Sequence, residues 1–410
     1  MSLQPSTVYT NTGQLSATAG TSVVVALLPI VAAVFVAYLV IGLAMPVIPL
    51  HVHQGLGLGT FVVGLVAGAQ FTASLISRFW SGNYADSRSG KRAVVVGLLI
   101  AAAAGLLYLL SLRFIDAPVT SVTILLLGRA VLGGAESFIV SGALVWGLAL
   151  VGVQNTGKVM SWVGTAMYVA FAVGAPAGTA LYAAYGFAAI ALATVFVPLV
   201  TLLLVVPRNA DTSLVQARRP AFTKVVGAVW APGVGLAFSS VGFGAVTTFV
   251  VLLFAQRGWG MGWLGLTVFA TTFVLARVAF GHLADSMGGA KVALVCALIE
   301  AIGLALIWLA PWSALALFGA GVTGLGYSLV YPGFGVEAVR SAPPESRGLA
   351  MGAYTAFLDL ALGLANPALG LVAGGASLGA VFLVSTLAVT CSAAVAARLL
   401  FAPSRTGERS

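Results

Sequence analysis

Long apolar runs alternate with short polar gaps along almost the entire chain. The runs fall at residues 23–50, 58–81, 93–113, 119–150, 159–184 and 187–207, and again at 225–256, 262–281, 292–311, 314–339, 348–374 and 377–401. A helix rising 1.5 Å per residue needs about 20 residues to cross the ~30 Å hydrocarbon core of a bilayer. Only helices and closed barrels satisfy their backbone there, and runs of this length without strict alternation are helices. The pattern therefore predicts an all-α membrane protein of twelve transmembrane helices, six before and six after the hydrophilic interior segment 208–224. Residues 1–22 are polar, rich in Ser and Thr and free of Lys and Arg, so they lack the charged start of a secretory signal and read as a flexible tail. The expected organisation is a tail (1–22), an N-terminal six-helix bundle (23–207), a linker (208–224), a C-terminal six-helix bundle (225–401) and a second tail (402–410).

Composition agrees: 60% of residues are hydrophobic and 7% charged, a balance no water-soluble domain of this length could carry without large exposed apolar patches. The net charge of +9 would suggest nucleic acid in a soluble protein. Here the topology accounts for it. In a twelve-helix weave Arg88, Lys91, Arg92, Lys158, Arg208, Arg218, Arg219, Lys224, Lys291, Arg340, Arg347, Arg405 and Arg409 fall on one side, and only Arg113 and Arg257 on the other. The positive-inside rule makes the basic side, with both termini, cytoplasmic, and no nucleic-acid partner is assigned. Cys296 and Cys391 both lie in apolar runs, which excludes a disulfide framework or a zinc site. His51 and His53 lack a third ligand and read as interfacial, so no metal is expected. With no P-loop and no dinucleotide-binding turn, no cofactor and no enzyme activity are expected, and the energy for any work must come from an ion gradient.

One stretch occurs twice. Arg78 to Arg92, RFWSGNYADSRSGKR, returns as Arg277 to Lys291, RVAFGHLADSMGGAK, aligning Arg78, Gly82, Ala85 and Asp86 with Arg277, Gly281, Ala284 and Asp285 at an offset of 285 − 86 = 199 residues, close to half the chain. Each copy sits between two apolar runs, so each is expected to form a hairpin in which Gly90, Gly288 and Gly289 turn the backbone and Asp86 and Asp285 cap a helix or pair with a neighbouring Arg. A duplicated unit is the simplest account.

These residues resemble the major facilitator superfamily over essentially the full length. The doubled Gly-x-x-Ala-Asp stretch, with Arg88 and Gly90 beyond it in the first copy, is similar to that family's signature between spans 2 and 3 and between spans 8 and 9. The first copy departs in placing Gly90 four residues after Asp86 and in carrying Tyr84. In span 4, Arg129-x-x-x-Gly133-x-x-Glu136 resembles an element associated with proton coupling. In span 5, Gly174-Ala175-Pro176-x-Gly178 partly resembles the motif of antiporters, and Gly363, Asn366, Pro367 and Gly370 stand in span 11 at an offset of 367 − 176 = 191. The bacterial efflux-type (drug/proton antiporter-like, arabinose-efflux-type permease) subgroup is most similar. The resemblance implies two pseudo-symmetric six-helix bundles, alternating access, helix bending at Gly174, Pro176, Gly178 and Pro367, gating by the doubled stretch, and a monomer in the bacterial inner membrane.

Charges inside the membrane are costly and mark function by default. Arg129 and Glu136 on span 4, Glu300 on span 9 and Asp359 on span 11 are the candidates. Arg129 and Glu136 are two helical turns apart on one face, where they either pair as a static lock or carry the proton: neutralising Glu136 would loosen its hold on Arg129 or on a cationic substrate. Asp359 reads as a second protonatable site or substrate contact, and Glu300 as a brace. Tyr38, Tyr327 and Tyr331, on the spans that face the cavity in the family, join Arg129, Glu136 and Asp359 as substrate-binding candidates. Gln70, Trp146, Tyr168, Phe238 and Phe243 are weaker ones. The expected function is proton-coupled export of a small organic molecule, such as a drug-like compound or sugar. The alternatives are a proton-coupled importer of a sugar or organic acid and a non-transporting membrane sensor.

Overall fold

The computed structural model describes residues 23–152, 155–207, 222–342 and 347–401. The tails 1–22 and 402–410 and most of the expected linker 208–224 lie outside the described residues. Twelve helices are long and apolar enough to cross a membrane, and no strand occurs among the described residues. Span 1 is Val23–Ala44, continued after a break at Met45–Pro46 by Val47–Leu50 and a π-helical turn His51–Gly55. Pro46 has no N–H to continue the ladder, which accounts for the break. Spans 2 to 6 are Thr60–Ser87, Gly90–Ser111, Pro118–Val151, Thr156–Tyr185 and Phe187–Val205. Spans 7 to 12 are Phe222–Gln256, Trp263–Phe280, Gly289–Leu309, Ser313–Arg340, Arg347–Gly375 and Leu378–Phe401. The face carrying Arg88, Lys91, Arg92, Lys158 and Lys291 is called the basic face below, and the opposite one the far face.

Several helices outrun the apolar runs that announced them, because the ladder continues through polar residues once the helix leaves hydrocarbon. This corrects the reading of the doubled stretch as a loop. Arg78, Gly82 and Asp86 all lie in the helix of span 2, and only Arg88 and Ser89 separate it from span 3. The cap of span 3 is Ser89, whose hydroxyl accepts from the Arg92 N–H. Gly90 does not turn the chain. It is the first residue of span 3, and a β-carbon there would come within 2.4 Å of the Trp146 nitrogen, so Gly90 serves the close approach of spans 3 and 4. In the second copy span 8 ends at Phe280, Gly281 follows as its cap residue, and a short helix Leu283–Met287 intervenes. Gly288 has φ +92°, a left-handed conformation that requires glycine, as expected of the turn. Asp285 lies in that short helix; its side chain is outside what the structure describes. The carboxylate at the start of span 9 is that of Glu337, which accepts from the Ala290 N–H at 3.1 Å.

Lipid tails are as apolar as leucine, so spans associate through close packing rather than hydrophobic burial. Gly174 and Gly178 of span 5 show this. A β-carbon at Gly174 would lie 2.7 Å from the Gly42 carbonyl carbon, and one at Gly178 would lie 2.0 Å from the Leu43 oxygen. Spans 5 and 11 are unbroken helices through Pro176 and Pro367. The two glycines of span 5 are in backbone contact with span 1. Spans 1–6 and spans 7–12 are called the first and second halves below.

The halves meet mainly where span 2 packs on span 11. Thr60 donates to the Gly370 carbonyl at 2.8 Å, and β-carbons at Gly64 and Gly68 would collide with the backbone of Asn366 and Gly363. Spans 5 and 8 meet through Tyr168 stacked on Phe273, ring centroids 3.5 Å apart. Among the described residues, the hydrogen bonds, ring contacts and glycine approaches joining the halves lie at the level of an Arg78–Asp359 ion pair or on its far-face side. The two halves are therefore joined on the far-face side of that pair.

Candidate functional site

Four spans bring a polar cluster to the middle of the protein. Glu136 lies 18 residues into span 4, and Tyr38 and Gln70 lie at comparable depth on spans 1 and 2. The Tyr38 hydroxyl donates to Glu136 Oε1 at 2.9 Å, and the Gln70 amide donates to Oε2 at 2.7 Å. Both carboxylate oxygens are thus held by neutral donors while the residue itself remains partly exposed. Two turns further along span 2, Arg78 crosses the interface: its Nε donates to Asp359 Oδ2 at 3.0 Å, and its Nη2 contacts the same oxygen. Asp359 is buried, whereas 27% of the Arg78 side chain is exposed. Arg78 and Asp359 both act electrostatically on Glu136. Two carboxylates and one guanidinium therefore share a single field, with the ion pair spanning the two halves.

Tyrosines extend the cluster into the second half. The Tyr331 hydroxyl lies 2.8 Å from Thr355 Oγ1, and the Tyr354 hydroxyl donates to the Tyr331 carbonyl at 2.7 Å. Tyr327 is buried and stacks on Phe243 at 5.3 Å between centroids, making an apolar wall with Tyr168 and Phe273. On span 2, the Ser81 hydroxyl bonds Ser137 at 2.8 Å and Ser141 at 3.2 Å, fixing the register of spans 2 and 4 just below the ion pair.

The two copies of the repeated arginine behave differently. Arg277, the counterpart of Arg78, stays within its own half and donates to the Ser328 carbonyl at 3.0 Å. The pseudo-symmetry is thus broken at the position where an ion pair crosses the interface.

Of the sequence-predicted residues, the structure gathers Glu136, Asp359, Tyr38 and Tyr331, and sets Tyr327 in the adjoining wall. It does not join Arg129 to Glu136. Seven residues of helix separate them by about 10 Å, and Arg129, buried, faces a different cavity beside Thr247 and Thr248. Glu300 is fully buried and accepts a short hydrogen bond from Ser239 of span 7, as a brace would. His51 is buried and stacked on Phe187, ring centroids 4.0 Å apart. Phe238 is exposed, and Trp146 is buried, its backbone close to Gly90 of span 3. Among the described residues no group of His, Cys, Asp and Glu could hold a metal. Arg78 was assigned to a loop by its motif. The signal pointing the other way was its place eight residues before Asp86, more than two turns inside a helix that had no reason to stop earlier.

The Major Facilitator Superfamily profile matches residues 30–271 and 234–410. The chain belongs to that superfamily. Relatives include an uncharacterized MFS-type transporter of Salmonella typhimurium, 41% identical over 92% of this chain and 97% of its own length. Another is an uncharacterized MFS-type transporter of Burkholderia pseudomallei, 40% identical over 89% of this chain and 90% of its own. Two solved structures share the fold at low identity. A bacterial homolog of the human lysosomal transporter Spinster, in an inward-facing and unoccupied conformation, has a TM-score of 0.70 at 11% identity, covering 92% of this chain and 97% of that one. The nucleoside transporter NupG has a TM-score of 0.71 at 13% identity, covering 91% of this chain and 99% of that one. The protein is accordingly a multi-pass membrane protein and a secondary transporter of small molecules rather than an enzyme.

Proposed function

We propose that this superfamily member is a proton-coupled exporter, of the efflux type, that exchanges protons for a small organic molecule by alternating access across the bacterial inner membrane, as a monomer with both termini in the cytoplasm. The observation that carries the reading is the Glu136 carboxylate, held by Tyr38 and Gln70 beside an ion pair that bridges the halves. Protonating Asp359 removes the charge that holds Arg78, and protonating Glu136 removes the second anion that Arg78 feels. Either event weakens the link between spans 2 and 11 and biases the halves toward the other opening.

Substrate would enter the cleft between the halves from the basic face, against the apolar wall of Tyr327, with Tyr38, Tyr331, Glu136 and Asp359 as polar contacts. Arg129 takes part from the far-face side, where the halves must separate for release. The helical Arg78–Asp86 segment, Arg88, Gly90 and the Arg277–Asp285 copy set the basic-face gate. The export direction is supported by the Gly174-Ala175-Pro176-x-Gly178 stretch, whose glycines pack on the span 1 backbone at the closed far face.

The test is proton movement in reconstituted vesicles of known orientation, with candidate cargo on one side. Export predicts that an imposed proton gradient drives cargo counter to proton flow, and that Glu136→Gln abolishes the coupling. Cargo moving with protons would make the protein an importer and defeat the proposal.

A further inference from the structure

Arg129 is the unusual charge in this protein. It is 4% exposed, it lies in the membrane-spanning part of span 4, and its Nε and Nη1 find no hydrogen-bond partner among the described residues. A guanidinium buried without a counter-charge is strongly unfavourable. The chain has ten acidic residues, and among the described ones none is placed against the guanidinium. Glu136 is held by Tyr38 and Gln70, Asp359 by Arg78, Glu300 by Ser239, and Glu337 by Arg340 and the start of span 9. Asp86 ends span 2 on the basic face, Asp285 belongs to the short helix on that face, and Asp116 precedes span 4. Asp211, Glu345 and Glu408 are outside the described residues. The Tyr108 hydroxyl stands within hydrogen-bonding reach of the guanidinium and brings no carboxylate to balance it.

Arg129 lines a small cavity at the closed interface, together with Ala44, Met45, Ile48 and Pro49 of span 1, Ala67 and Phe71 of span 2, and Thr247 and Thr248 of span 7. The cavity has room for about one water-sized occupant. Beyond Thr248, whose hydroxyl donates to Asn366 Oδ1 at 3.1 Å, the buried Asn366 amide nitrogen is a further donor without a partner. The walls carry no carboxylate, and the one charge facing the space is positive.

We infer that this cavity binds a monatomic anion of the halide class, which neutralises Arg129 and joins span 4 of the first half to span 7 of the second. Water would fill the volume but leave the charge unbalanced, and a polyatomic organic anion exceeds the space. The site exists only while the far face is closed, because its walls come from both halves. Halide therefore stabilises the conformation with the far face closed, whatever the cargo and whatever the direction of transport.

The test is thermal unfolding of the purified full-length protein in detergent at constant ionic strength, with sodium gluconate, acetate, chloride or bromide. Chloride and bromide are expected to raise the midpoint by a few degrees, saturably, and acetate and gluconate to leave it unchanged. Arg129→Gln is expected to abolish the halide response, and Cys391→Ser, at an exposed position of span 12, to retain it. Equal midpoints of the wild type in chloride and gluconate would mean the cavity holds water only and would overturn the inference, with no variant needed. So would a response to acetate without one to chloride, or a halide response that survives in Arg129→Gln.

Discussion

Replacing Asp359 by Asn tests whether the ion pair across the halves sets the balance between the two openings. Removing one partner of a buried, hydrogen-bonded charge pair costs about 3–5 kcal/mol when the survivor stays buried. Here the survivor is Arg78, 27% exposed toward the cleft, so solvent recovers part of the loss and the effect falls to about 1–3 kcal/mol. If the pair forms only while the far face is closed, that energy shifts the conformational equilibrium roughly 5- to 150-fold away from the closed far face. The assay is disulfide trapping between cysteines at Thr60 and Gly374, which approach each other across the closed far face, with Cys296 and Cys391 first replaced. The initial trapping rate should fall by the same factor in Asp359→Asn. Arg78→Gln should give a similar loss, and the double variant little more than either alone, since both remove one interaction. An unchanged trapping rate in a folded Asp359→Asn protein, or fully additive single effects, would show that the bridge does not control the opening.

Other outcomes follow from particular contacts. Glu136→Gln keeps both hydrogen-bonding neighbours but cannot release a proton, so cargo binding followed by calorimetry should lose the part of its pH dependence that Glu136 supplies, leaving that of Asp359, while the folded protein survives purification. Gly178→Ala places a methyl 2.0 Å from the Leu43 carbonyl, forcing spans 1 and 5 apart at about 1–3 kcal/mol; a lowered unfolding midpoint with a slower transport rate checks it. Glu300→Ala leaves the Ser239 hydroxyl buried without its acceptor, so stability should drop by about 1–3 kcal/mol, while vesicle transport per folded molecule stays near that of the wild type. Ser81→Ala breaks the links to Ser137 and Ser141, and should cost about 1 kcal/mol in stability and leave proton coupling intact.

The twelve spans, their grouping by six and the membrane setting could be read from the chain because hydrocarbon imposes a demand on every residue of a run: about 20 must be apolar, and the backbone must bond to itself. Glu136 and Asp359 were visible for the same reason, since a carboxylate in such a run is conspicuous. The partners were not. Arg78 lies near the end of an apolar run, where a basic residue is ordinary, and nothing in local spacing says that it reaches Asp359 on span 11, 281 residues away. Arg129 and Glu136 share a helical face, which suggested a pair, yet Glu136 is taken up by Tyr38 and Gln70 while Arg129 lies against Thr247 and Thr248 of span 7. The chain by itself thus determined which helices form and which charges they carry into the membrane. Which charge meets which, and why Arg277 stays home while its twin crosses the interface, depended on how two similar bundles tilt against one another, and periodicity along a single helix holds no information about that angle.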